Sequence, residues 1–230
     1  MLRLPPRART GLGLVALLVL AAALRWPFWR EALRTPLDGD TSLLALMALH
    51  PAQTGTTLWG QPYGSPLEAW LLAPFLALTG PRSLTVHVFY FTLGLLLVPA
   101  AFLVARRLEP GIEWHAATLA AAPSAYLLLL SASPPPLYPL ELLICAALLG
   151  GALALERRLA RGEAVGLALL LWGGLAGLAF WTHLMAASVV ATGLAFLACS
   201  AGPLRRRLWP ALVGLVLGAW PLALGFDWSV

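Results

Sequence analysis

A chain of 230 residues that is 60% hydrophobic and only 11% charged carries too little charge to cover a soluble domain of its length. Its mean hydropathy of +0.83 belongs to a protein whose main solvent is lipid. The formal charge of +5 rests on arginine alone, with no lysine. These arginines stand in short clusters between apolar runs, a pattern that a membrane explains without any nucleic-acid partner.

A helix needs about 20 apolar residues to cross the hydrocarbon. Seven runs approach that length, at roughly 11–28, 83–105, 114–132, 137–155, 164–181, 183–200 and 208–224. The prolines within or beside them (Pro99, Pro123, Pro210 and Pro221) are tolerated in bundled membrane helices. The expected fold is an all-α integral membrane domain over residues 1–230, with about seven transmembrane helices. The basic start, the apolar stretch and Ala21-Ala22-Ala23 also fit a cleaved signal peptide. The alternating charge of the later spans favours a retained first helix.

Orientation follows the arginines. Arg3, Arg7, Arg9, Arg106, Arg107, Arg157, Arg158, Arg161, Arg205, Arg206 and Arg207 fall on one face if the spans alternate. Arg25, Arg30, Arg34 and Arg82 fall on the other. This split places the N-terminus in the cytoplasm, in a cytoplasmic (inner) membrane. Tryptophans near the span ends, such as Trp26, Trp29, Trp181 and Trp209, suit an interfacial belt. Cys145 and Cys199 lie in apolar runs at different depths, which disfavours a disulfide. No Cys/His spacing resembles a zinc site.

The segment 29–82, the longest between spans, then lies outside. Thr41–Leu49 reads as a short helix with Asp40 or Thr41 at its N-cap, ended by His50-Pro51. The turn LWGQPYGSP follows, and Leu67–Leu78 reads as a second short apolar helix interrupted by Pro74. Two such helices would lie along the outer membrane surface, or form a hairpin dipping into it.

Several residues here carry chemistry. Asp38 and Asp40 form an Asp-x-Asp pair suited to general-base work or to holding a divalent cation; the same pair is ordinary turn and cap chemistry. Glu68 opens the second short helix, where an acid meets the positive helix end. Glu141 lies one turn into the fourth span, at a depth where an ionisable group points to function, although snorkelling to the interface would also accommodate it. His183, in the turn Trp181-Thr182-His183, could hold a phosphate or a hydroxyl, or be a satisfied interfacial histidine. Asp38, Asp40, His50, Glu68, Glu141 and His183 all fall on the outer side, a convergence that random scatter would not produce.

The stretches LDGDTSLLALMALH, GQPYGSPLEAW and LTGPRSLTVH resemble the membrane-embedded GT-C glycosyltransferases. The likeness is to the bacterial branch related to protein O-mannosyltransferases and the lipid A aminoarabinose transferase. YPLELL around Glu141 and WTHLM around His183 are similar to later stretches of that branch. The family places an acidic motif in the first outer loop, followed by two membrane-parallel helices. Where it has Asp-Glu, this chain has Asp40-Thr41, so the catalytic aspartate carries over best to Asp40, with Asp38 as the second acid. The family enzymes usually continue with further spans, so the expectation is that this chain is an N-terminal part of a longer protein.

The resemblance implies inverting transfer of a sugar from a polyprenyl-phosphate donor to an acceptor on the outer face. Asp40 would be the base. Arg34, Tyr63, Glu68, Arg82, Glu141 and His183 would bind substrate, and Arg30, Arg34 and Arg82 could stabilise the departing lipid phosphate. The cofactor stays open, a divalent cation included. The rival reading is a non-catalytic multi-pass protein: a degenerate relative, a lipid-binding subunit or a transporter. A transporter would show midplane polar groups and an internal repeat, and the sequence displays neither.

Overall fold

A computed structural model of the chain describes residues 6–59, 65–132, 138–200 and 208–225. The described residues are helical throughout, with turns and loops between. In chain order the helices are α1 (Pro6–Ala32), α2 (Gly39–Leu49), α3 (Leu67–Thr79), α4 (Ser83–Leu108), α5 (Glu113–Ala121), α6 (Ala125–Ala132), α7 (Tyr138–Ala160), α8 (Gly166–Thr182), α9 (Ala186–Ser200) and α10 (Trp209–Gly225). A 3-10 turn at Pro51–Gln53 follows α2.

Helices occupy all seven expected apolar runs. Three of them, Ala8–Ala32, Ser83–Leu108 and Pro139–Ala160, are long and apolar enough to cross a membrane. The third expected run is two helices rather than one. Pro123 has no N–H to donate, and it pushes the residue before it out of the helical region. Ala122 accordingly sits at φ −118°, ψ 65°, and α5 stops at Ala121. The helices α8, α9 and α10 have 17, 15 and 17 residues, short of the about 20 that a perpendicular span uses.

Two apolar clusters hold the bundle. One joins α1, α4 and α5 through Ala21, Val98, Phe102, Ala117 and Ala121, with Trp114 edge-on to Phe102 at 5.0 Å. The other runs from the α2–α3 hairpin through α4 and α7 to α8 and α9. At its centre Trp172 of α8 donates its indole N–H to the Leu148 carbonyl of α7 at 2.9 Å. The ring fits because Gly151 and Gly193 offer no side chain; a Cβ on either would strike it.

The helix α10 packs against α8 through two facing G-x-x-x-G pairs, Gly173/Gly177 and Gly214/Gly218. A Cβ on any of the four would overlap backbone atoms of the other helix. Small residues at this spacing let helix backbones meet in lipid, where apolar surface alone does not drive association.

The hairpin caps one end of the bundle, the end formed by the C-termini of α1 and α8 and the N-termini of α4 and α7. The Trp181 indole donates to the Thr56 carbonyl at 2.8 Å, and Trp70 of α3 meets Trp181 at 5.5 Å between ring centroids. Phe75 of α3 meets Phe89 of α4 at 5.8 Å. At the opposite end, Arg106 and Arg107 occupy the last turn of α4, and Arg157 and Arg158 that of α7. There Arg157 donates to the Arg107 carbonyl.

Helix α1 continues past the expected end near 28 to Ala32, and Arg25, within the expected run, is inside the helix and only 1% exposed.

Candidate functional site

The two aspartates of the Asp-x-Asp pair have different fates. Helix α2 begins at Gly39, so its N-cap is Asp38 rather than Asp40 or Thr41. Asp38 accepts the Thr41 backbone N–H at 2.7 Å through Oδ1 and the Thr41 hydroxyl at 2.9 Å through Oδ2. Both carboxylate oxygens are engaged, the usual arrangement for an aspartate satisfying the open donors of a helix start. Asp40 stands in the first helical turn, exposed, and makes no hydrogen bond or ion pair among the described residues.

Beneath the hairpin the polar groups are buried. Glu68, in the first turn of α3, is 0% exposed. It accepts the Tyr90 hydroxyl of α4 at 2.9 Å. Tyr90 lies within electrostatic reach of Asp38, and Glu68 within reach of Glu141. Glu141 is 5% exposed in the first turn of α7. Its Oε1 accepts the Cys145 thiol at 3.5 Å, while Oε2 has no hydrogen-bond partner among the described residues. Glu68 and Glu141 are thus both buried, and the Tyr90–Glu68 hydrogen bond ties α3 to α4.

The remaining predicted residues do not join it. His183 caps α8 and accepts the Met185 backbone N–H at Nδ1, 3.1 Å away. Arg34 pairs with Glu31 at 3.2 Å on the surface, three residues apart. Arg82 is exposed at the N-cap of α4, on a cleft of about 290 Å³ between α2, the end of α3 and the start of α4. Tyr63 lies outside the described residues. No group of three or more His, Cys, Asp or Glu side chains among the described residues is arranged to hold a metal.

Sequence reasoning missed two participants. Tyr90 carries no local signal, since its partner is 22 positions away and its neighbours are apolar. Cys145 was legible as the residue one turn after Glu141, where side chains at i and i+4 meet. No protein-family model, curated protein or solved structure matches the chain.

Proposed function

We propose that this chain is a multi-pass protein of the cytoplasmic membrane, related to the GT-C glycosyltransferases. In this reading it has seven spans, a cytoplasmic N-terminus and the α2–α3 hairpin on the outer face. It transfers a sugar from a polyprenyl-phosphate donor to an acceptor hydroxyl. Three features support the topology: helices in all seven apolar runs, the three that are long enough to span, and the arginines gathered at the end opposite the hairpin.

The observation that carries the chemistry is the division between Asp38, committed to a cap, and Asp40, exposed and uncommitted in the first turn of α2. Asp40 takes the proton from the acceptor hydroxyl as that oxygen bonds to the anomeric carbon. The bond from that carbon to the donor's phosphate oxygen breaks, and the lipid phosphate leaves with the electron pair. Attack opposite the leaving group inverts the centre. Arg82, on its cleft beside α2, is placed to meet the departing phosphate. The buried Glu68–Tyr90 hydrogen bond fixes α3 on α4 and so holds the hairpin in place.

The test compares Asp40→Asn and Asp38→Asn in membranes supplied with polyprenyl-phosphate sugar donors, reading release of polyprenyl phosphate. Loss of a general base costs about 10²–10⁴ in rate, so Asp40→Asn should lose that much while keeping wild-type thermal stability. Asp38→Asn should retain most of the rate, because asparagine also caps helices well. Full turnover by Asp40→Asn at normal protein level would remove the assignment.

A further inference from the structure

Apart from the hairpin, a cavity of about 760 Å³ opens between α4, α5–α6 and α7. Its wall is apolar, built from side chains such as Leu97, Ala101, Leu119, Pro123 and Leu142. Arg25 is the one charged side chain among the described lining residues, and Cys145 lines the same wall. The volume falls in the range of about 300–1,000 Å³ typical of sites that hold one small molecule.

Arg25 explains why α5 can end inside the bundle. The break at Pro123 leaves the last carbonyls of α5 without helical donors. Arg25 Nη1 donates to the Ala121 carbonyl at 2.9 Å and to Ala21 in its own helix at 3.1 Å, and Nη2 donates to Ala120 at 3.1 Å. The C-terminal end of a helix carries roughly half a negative charge, against the full positive charge of the guanidinium. The balance is an uncompensated positive charge facing an apolar cavity. No acidic side chain pairs with Arg25 among the described residues, and its Nε has no hydrogen-bond partner there. Buried charges are ordinarily paired.

We propose that this cavity binds a single-chain amphiphile with a small anionic head, the head on Arg25 and the chain along α4 and α7. Charge complementarity selects the head, and the apolar wall selects the chain. Arg25 lies seven residues before the end of α1, about 10 Å along the helix axis. The site does not use the Glu68–Tyr90 hydrogen bond and does not depend on sugar transfer, and it meets the candidate site only at Cys145, which also donates to Glu141.

Cys145 supplies the reporter. In the full chain with Cys199→Ser, reconstituted in uncharged nanodiscs at pH 8, alkylation of Cys145 by N-ethylmaleimide is followed by intact mass. Oleate and oleyl phosphate are the anionic probes and oleyl alcohol the neutral one. A hydrogen bond to a charged group predicts half-protection at a concentration at least tenfold lower for an anionic probe than for the alcohol. Protection by only one of the two anions would identify the head. Arg25→Gln should abolish the preference and Arg25→Lys should keep it. If Arg25→Gln does not fold by circular dichroism, the wild-type and Arg25→Lys comparisons decide. Equal protection by the alcohol and both anions, or an undiminished preference in folded Arg25→Gln, would overturn the proposal.

Discussion

Alanine at Gly177 tests the close approach of α8 and α10. The added Cβ would fall on the Leu215 carbonyl and against the Ala219 nitrogen and the Gly218 carbonyl carbon, all backbone atoms of α10. No side-chain rotation relieves such an overlap, so the two helices must separate. Overpacking a tight site costs about 1–3 kcal/mol, and a backbone obstacle puts the cost at the upper end. Alanine returns about 1 kcal/mol of helix propensity, leaving a net loss of about 2 kcal/mol. Gly174, three residues earlier on the same helix, is the control. A Cβ there meets only the Gly214 carbonyl, at an ordinary 3.9 Å, so Gly174→Ala keeps the propensity gain. The two variants should therefore differ by about 3 kcal/mol, more than a hundredfold in the unfolding equilibrium. The assay is unfolding of the full chain by sodium dodecyl sulfate in mixed micelles, followed by tryptophan fluorescence. Equal midpoints for Gly177→Ala and Gly174→Ala would refute the packing.

Tyr90→Phe should destabilise the chain by about 1.5–3 kcal/mol in the same assay, because it removes a buried hydrogen bond to a carboxylate. Tyr126→Phe, at an exposed position, should leave the midpoint unchanged. A second prediction concerns pH at the α7–α8 loop. Hydrogen bonds from Arg161 and then Arg158 hold the Glu163 carboxyl below its ordinary value. Folding therefore favours the ionised form. The stability this contributes is present above the ordinary glutamate value of about 4.3 and drains away as pH falls through the lower folded value. Wild type and Glu163→Gln should thus differ slightly at pH 7 and converge in acid, as read from thermal melts across that range. A difference that grows in acid would contradict the pairing.

The helices themselves were legible because apolar runs near 20 residues have few alternatives. What escaped were features decided by distant partners. Arg25 reads locally as an interfacial residue between Leu24 and Trp26. Its burial depends on carbonyls of α5 some 95 residues away, freed by a proline whose presence was noted but whose break was not. Glu68 reads as an acid at a helix start, which it is, yet Tyr90 and the packing of α3 on α4 take it out of solvent. The cap went to Asp38 because Gly39, not Thr41, opens α2. The paired G-x-x-x-G spacing, like the i, i+4 spacing of Glu141 and Cys145, is a local signal plain in the sequence. Of the site, an acid at the start of α3 was legible, and its hydrogen bond to Tyr90, 22 positions away, was not.

The central claim is that the hairpin with Asp40 faces outward, opposite the arginine-rich end. Sidedness of labelling in intact cells tests it most directly. Single cysteines at Gln53, exposed in the 3-10 turn after α2, and at Ala160, exposed at the end of α7, are introduced into a chain lacking Cys145 and Cys199. Gln53→Cys should react with a membrane-impermeant maleimide in intact cells, and Ala160→Cys only after the membrane is opened. The reverse pattern would contradict both the orientation and the location of the proposed site.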